Sequence, residues 1–460
     1  MNTVHSGSTN VHHHDPERSL ALRRAAKASF IGNFIEWFDY ASYGYLAEVI
    51  GRAFFPQADK SVQLMSAFAV FAMSFILRPI GAVVWGAWGD KWGRRWALSW
   101  SILIMSGSTF FIGLLPPYSA IGALGAIGLL LLRMVQGFSA SGEYAGAGTF
   151  LAEYAPPARR GIYTCLVPAS TACGLLAGSL MVTGMFRVLS DGAIDSWGWR
   201  IPFLLAGPLG LIGRYIRVHL EDSPAYQEMR AEMPQEQKSA NWSEPLRLLL
   251  REHLRETLIT FGVSCLNAVA FYMLLSYMPT YVREELGFPK DIATLATSVM
   301  LLVYIGSIFL MGHLSDSFGR RRMLIAACVA FIVMTVPLFI AMTKAHNMLF
   351  VVILCQVVFA IILTANDGTL ATFLAESFPT NVRYSGFALS FNGANALLGG
   401  TTPAIVTWLI KVTGSPLAPA VYLTVISLIA MFAIFRSRVI HGSELTEAQN
   451  SGSSATEKVK

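Results

Sequence analysis

Gly86-Ala87-Trp88-Gly89-Asp90-Lys91-Trp92-Gly93-Arg94-Arg95 and Gly312-His313-Leu314-Ser315-Asp316-Ser317-Phe318-Gly319-Arg320-Arg321 set out one design twice, 226 residues apart. In both, an aspartate follows a glycine by four residues, and a second glycine precedes a basic pair at the close of a long apolar run. A second matched pair, Leu151-Ala152-Glu153 through Arg160 and Leu374-Ala375-Glu376 through Arg383, repeats at an offset of 223. Two matches at nearly one offset mean two halves built on one plan. Physically, Gly86 permits close helix approach, Asp90 ends its helix near a neighbour, and Gly93 turns the chain before the basic pair. Asp90, Arg94, Glu153 and Arg160, with their counterparts Asp316, Arg320, Glu376 and Arg383, are predicted to form a charge cluster that gates one face.

The runs that flank these loops decide the fold class. Leu98 to Leu115 and Met323 to Met342 are almost wholly apolar, long enough at ~1.5 Å per residue to cross a ~30 Å hydrocarbon layer as helix. Of the 460 residues, 54% are hydrophobic and only 13% charged, about half the charged share of an ordinary soluble domain. A barrel would show ~10-residue alternating segments, which the chain lacks. The expected fold is an all-α membrane protein with about twelve spanning helices, near 27–50, 63–88, 95–115, 121–152, 162–186, 199–218, 256–279, 292–313, 322–342, 347–375, 383–409 and 416–437. The longest polar stretch, Glu221 to Glu256, separates two sets of six. The domain reading is therefore a tail at 1–26, a bundle at 27–218, a central loop at 219–255, a bundle at 256–437 and a tail at 438–460. Roughly two thirds of the 34 Lys and Arg fall on one side in this arrangement, which places both termini in the cytoplasm and the chain in a bacterial-type inner membrane. That distribution also accounts for the net charge of +6 without nucleic acid.

Several chemistries are excluded. The sequence has no P-loop, GxSxG, HExxH or CxxC pattern, and the loops are too short for a soluble catalytic domain, so neither an enzyme nor an ATP-driven pump is expected. His5 and His12 to His14 are read as part of a polar tail, the five cysteines as packing thiols, and no metal or cofactor is expected.

Four stretches carry a resemblance: Gly32-Asn33-Phe34-Ile35-Glu36-Trp37-Phe38-Asp39, Leu77-Arg78-Pro79-Ile80-Gly81, Gln136-Gly137-Phe138-Ser139-Ala140-Ser141-Gly142-Glu143-Tyr144 and Trp197-Gly198-Trp199-Arg200-Ile201-Pro202-Phe203. With the gating motif, complete in the first half and carrying Ser317 in place of a basic residue in the second, they resemble the major facilitator superfamily and, within it, the metabolite:proton symporters. Tyr272-Met273-Leu274-Leu275-Ser276-Tyr277-Met278-Pro279 is most similar to the proline/glycine betaine carriers of that family. The resemblance implies a secondary transporter that takes up a small carboxylate-bearing metabolite with protons, functioning as a monomer. A drug or metabolite exporter and a non-transporting membrane sensor are the rival readings.

Ionisable side chains within apolar runs cost at least ~2.5 kcal/mol to insert and so mark interior sites. Glu36 and Asp39, on one face of the first helix, and Glu143, among small residues on the fourth, are the proton-coupling candidates, with Asp39 first. Arg78, a fixed charge with a planar donor fork, is the leading substrate anchor. Arg133, Asp367, Trp37 and Tyr144 complete the predicted substrate site, the aromatics as cation-π faces for a quaternary ammonium alongside Tyr40, Tyr43, Tyr272 and Tyr277. The rival reading of Arg78 is that it only pairs with Asp39 or Glu143 to neutralise the interior. One interior arginine suits a zwitterion; Arg78 with Arg133 would suit a di- or tricarboxylate.

Overall fold

The computed structural model describes residues 16–232, 243–345 and 348–437, and among these every regular element is helical. The predicted histidines and much of both tails lie outside the described residues, as does part of the central loop. The long helices are α1 (Pro16–Phe54), α2 (Val62–Trp92), α3 (Arg94–Leu114), α4 (Ala123–Tyr154), α5 (Pro157–Val188) and α6 (Gly198–Val218). The second set comprises α7 (Leu254–Glu284), α8 (Ile292–Phe318), α9 (Arg320–Thr343), α10 (Leu349–Glu376), α11 (Arg383–Thr413) and α12 (Ala418–Arg436). Length and composition qualify 11 of them, α2 to α12, as membrane spans. The first, at 39 residues, is long enough but diluted by Asn33, Glu36 and Asp39, all buried within the bundle. Two sets of six, each with the predicted helices, make the expected two-repeat membrane fold.

Between the sets, the described residues include two short helices, Pro224–Glu232 and Glu244–Glu252. Asp222, just ahead of the first, reaches back to the start of α3, where its Oδ1 accepts from the Arg94 N–H at 3.0 Å and the Arg95 N–H at 3.3 Å. Burial pushes the Asp222 carboxyl up from its ordinary range, against the pull of Arg94 and these amides. Gly93 turns at φ 108°, and a Cβ there would lie 1.9 Å from Asp222 Oδ2, so both the dihedral and the space demand glycine.

Breaks in the long helices sit where they aim side chains inward. The α2 ladder is interrupted at Leu77, ahead of Pro79, which has no N–H to donate. Arg78 opens the next segment there. Helix α4 is interrupted between Ala140 and Glu143. Two π-helical turns, Tyr272–Tyr277 in α7 and Asn395–Gly399 in α11, each precede a proline (Pro279, Pro403), and such turns are frequent at functional sites. The halves meet along α2 with α11 and α5 with α8, which are equivalent seams under the repeat.

Candidate functional site

Where the halves meet in the middle of the bundle, α1, α4 and α5 from the first set and α7, α10 and α11 from the second enclose a cavity with about 250 Å³ of empty space. Its lining includes Trp37, Tyr144, Thr171, Asn267, Phe271, Asp367, Phe391 and Asn395. Trp37 meets Phe271 edge-on at 5.0 Å, and Tyr144 stacks on Phe391 at 4.1 Å between ring centroids. Trp37 Nε1 and the Tyr144 hydroxyl are buried with no hydrogen-bond partner in the protein. A buried donor left unpaired costs about 1–3 kcal/mol, so two of them facing one cavity favour a ligand that accepts. Three of the predicted substrate residues, Trp37, Tyr144 and Asp367, thus come together.

Arg78 lies beside this cavity rather than in its lining. Its Nη2 donates to Glu36 Oε1 at 2.5 Å and to the Tyr40 hydroxyl at 2.7 Å, while Arg78 Nε and Glu36 Oε2 have no partner. The guanidinium also lies over the Phe75 and Tyr40 rings, at 4.8 and 5.3 Å. Asp39 and Glu143, the partners the rival reading gave Arg78, are paired elsewhere. Arg133 Nη1 donates to Asp39 Oδ2 at 2.6 Å, Gln136 adds a second donor, and the Arg133 guanidinium lies 3.8 Å over Tyr43 with Phe71 and Phe203 behind it. Glu143 pairs through both oxygens with Arg217, and Ser101 donates to it at 3.1 Å. Each interior carboxylate of the first half therefore has an arginine of its own. Glu36 and Asp39, three residues apart, each meet a separate arginine, supplied by α2 and α4.

Sequence reasoning missed Arg217, which sits near the end of α6 in what reads as a loop-flanking basic residue, yet is 2% exposed. It also missed Asn267, Tyr304 and Asn395, since neutral polar residues in an apolar run give no signal. Asp367 Oδ1 accepts from Asn267 at 2.7 Å and Asn366 at 3.0 Å, and Oδ2 accepts from the Tyr304 hydroxyl at 2.5 Å.

At one end of the bundle the repeated motifs interlock across both seams. Asp90, held by Arg94 Nη1 at 3.1 Å, accepts from the N–H groups of Tyr384 and Ser385 at 3.1 and 2.8 Å, capping α11 of the other half. Asp316, held by Arg320 at 2.7 Å, accepts from the N–H groups of Gly161 and Ile162 at 2.8 and 3.0 Å, capping the start of α5. Glu153 bonds Arg383 at 2.9 Å and Arg94 at 3.2 Å, while Glu376 meets Arg160 at 3.4 Å and Arg320 at 3.5 Å. A carboxylate at a helix N-terminus is favoured by the orphan amides and the dipole together. Gly86 lets the seam close: a Cβ there would fall 2.7 Å from Ser385 Cα. All nine predicted gating residues lie at this one end.

A two-halved helical membrane protein, with a cavity between the halves and repeated charge clusters across the seams at one end, has the design of a secondary transporter. The comparisons bear this out. Residues 29–294 match the Major Facilitator Superfamily and residues 225–451 the family described as Sugar (and other) transporter. The chain is 38% identical over 416 residues to the glycine betaine/proline/ectoine/pipecolic acid transporter OusA of Dickeya dadantii and 37% identical to the proline/betaine transporter of Escherichia coli K12, covering 89% of this chain and 82% of each relative. It is 36% identical to a putative proline/betaine transporter of Staphylococcus aureus over 90% of this chain and 87% of that one. Among solved structures it resembles the proton:xylose symporter XylE, with a TM-score of 0.76 at 17% identity over 91% of this chain and 95% of that chain. This chain belongs to the major facilitator superfamily.

Proposed function

We propose that this chain carries a small zwitterion of the proline/betaine type into the cell together with protons. The observation that carries the reading is the cavity itself: small, walled by Trp37, Tyr144, Phe271 and Phe391, and lined by two unpartnered donors beside an under-bonded Arg78–Glu36 pair. The names of the relatives point the same way.

In this mechanism the substrate carboxylate enters between Arg78 and Glu36, with Trp37 Nε1 and the Tyr144 hydroxyl as further donors. Arg78 exchanges one carboxylate for another, and the released Glu36 takes a proton from the entry side. Net charge at the pair is unchanged, so substrate and proton travel together. Asp39 and Glu143, bound by arginines away from the cavity lining, hold the first half together. A di- or tricarboxylate would need a second cation in the cavity, and Arg133 is instead boxed by aromatics and tied to Asp39.

The latch end is assigned to the cytoplasm, with both termini, in an inner membrane; residues 27–218 and 256–437 act as the two rocking units of a monomer. The test is uptake into proteoliposomes under an inward proton gradient, with labelled proline and with unlabelled glycine betaine, 2-oxoglutarate and citrate as competitors. Gradient-driven proline uptake blocked by betaine supports the proposal; uptake of a dicarboxylate alone, or efflux only, would overturn it.

A further inference from the structure

Seven carboxylates are buried among the described residues: Glu36, Asp39, Asp90, Glu143, Glu153, Asp367 and Glu376. Six have an arginine within ion-pair distance. Asp367 is 0% exposed, lines the central cavity, and is held by Asn267, Asn366 and Tyr304, which are neutral donors. When ionised, it has no ion-pair partner among the described residues, and an unpaired buried charge costs several kcal/mol unless something neutralises it. The same cavity is lined by the rings of Tyr144, Phe271, Phe391 and Trp37, and aromatic rings attract cations. Together they form a receptor for positive charge.

We propose that Asp367 is the counter-charge for the onium group of the substrate, an inference that rests on the zwitterion reading above and assigns its other end. Three of the roughly four lone-pair directions of the carboxylate are already used by Asn267, Asn366 and Tyr304. Little capacity remains for an N–H donor, whereas a methylated ammonium needs only charge and aromatic faces. Asp367 thus selects quaternary over primary ammonium, while the donors near Arg78 select the carboxylate.

The experiment measures the thermal midpoint of the purified, detergent-solubilised protein against tetramethylammonium, acetate, and choline with its uncharged tert-butyl isostere. Tetramethylammonium is expected to stabilise the wild type, and Asp367→Asn to weaken its apparent affinity by about tenfold or more, with the acetate response unmoved. Choline is expected to exceed its isostere by a similar factor, a comparison made on wild-type protein alone and so independent of how Asp367→Asn folds. Equal binding of choline and the isostere, no response to tetramethylammonium, or an unchanged response in Asp367→Asn overturns the assignment. Loss of proton-driven uptake in Asp367→Asn with tetramethylammonium affinity intact also overturns it and makes the residue a proton carrier instead. Failure of the zwitterion reading registers separately, as absent betaine uptake in vesicles with the tetramethylammonium response preserved.

Discussion

Asp90→Asn keeps the shape of the side chain and removes its charge, so it isolates the worth of the helix cap across the α2–α11 seam. The aspartate accepts from two amides at 3.1 and 2.8 Å and forms an ion pair with Arg94 Nη1 at 3.1 Å. An asparagine has one oxygen for these donors and turns an amine toward the rest, so it forfeits one bond to a charged acceptor and leaves Arg94 partly uncompensated. Bonds to charged groups contribute ~1.5–3 kcal/mol each, and the part of the loss specific to the closed latch is one such bond. At ~1.4 kcal/mol per factor of ten, the latched state loses roughly 10- to 100-fold in population against the open one. Cys165, buried at the neighbouring α5–α8 seam, is a native reporter: in a variant that retains it as the sole cysteine, its alkylation rate should rise in proportion. Transport should slow while membrane expression holds. Asp316→Asn is expected to act in the same direction, because its cap on Gly161 and Ile162 repeats the geometry. Wild-type alkylation and uptake in both variants would refute the latch.

Glu36→Gln is expected to abolish gradient-driven accumulation yet leave substrate exchange between loaded vesicles, because Arg78 loses its competitor but keeps its charge; a preserved gradient response would remove Glu36 from the coupling step. Glu143→Gln strands Arg217 in the bundle and should cost ~3–5 kcal/mol, read as a lower thermal midpoint and poor expression, with Glu143→Gln/Arg217→Met recovering part of the loss. Trp37→Phe deletes the unpartnered N–H but keeps most of the ring. A rise in KM of about 5- to 100-fold, from ~1–3 kcal/mol, with little change in expression is expected, and an unchanged KM would show that the indole N–H takes no part in binding.

Much of this architecture could be read from the amino-acid sequence, because bilayer thickness fixes helix length and the motif loops recur at a constant offset. The pairing of charges could not. Glu36 and Asp39 share a helix face, so their spacing suggested shared protons; which cations approach that face depends on the α2 break at Leu77 and on the packing of α4, neither of which is a local property. Arg217 was hidden for a related reason: a basic residue near a helix end reads as a membrane-surface anchor until the tertiary fold turns it inward onto Glu143. Asp367 was visible as a charge in an apolar run, but its distinction from the others lies in having no arginine near it, which only the assembled bundle reveals.

That assembled bundle also explains how a latch made of buried charges can open. Asp90 and Glu153 keep Arg94, and Asp316 and Glu376 keep Arg320, each pair within one half. Across the seams the carboxylates meet helix amides, Arg383 and Arg160. When the halves part, each latch carboxylate therefore retains an arginine of its own half, and the groups released include backbone amides at helix starts, the Thr380 carbonyl that accepts from Arg94 at 2.6 Å, and two arginines whose side chains are already 12% and 20% exposed. Water can take over each of these. The interior pairs Glu36–Arg78, Asp39–Arg133 and Glu143–Arg217 lie wholly in the first half, so none of them spans a seam. Opening the latch then breaks several short bonds without isolating a charge in a low-dielectric interior, which keeps the barrier within reach of the binding energy of a small solute. The repeat supplies this twice, since the offsets of 226 and 223 that relate the loops also relate donor to donor and acceptor to acceptor across the two seams.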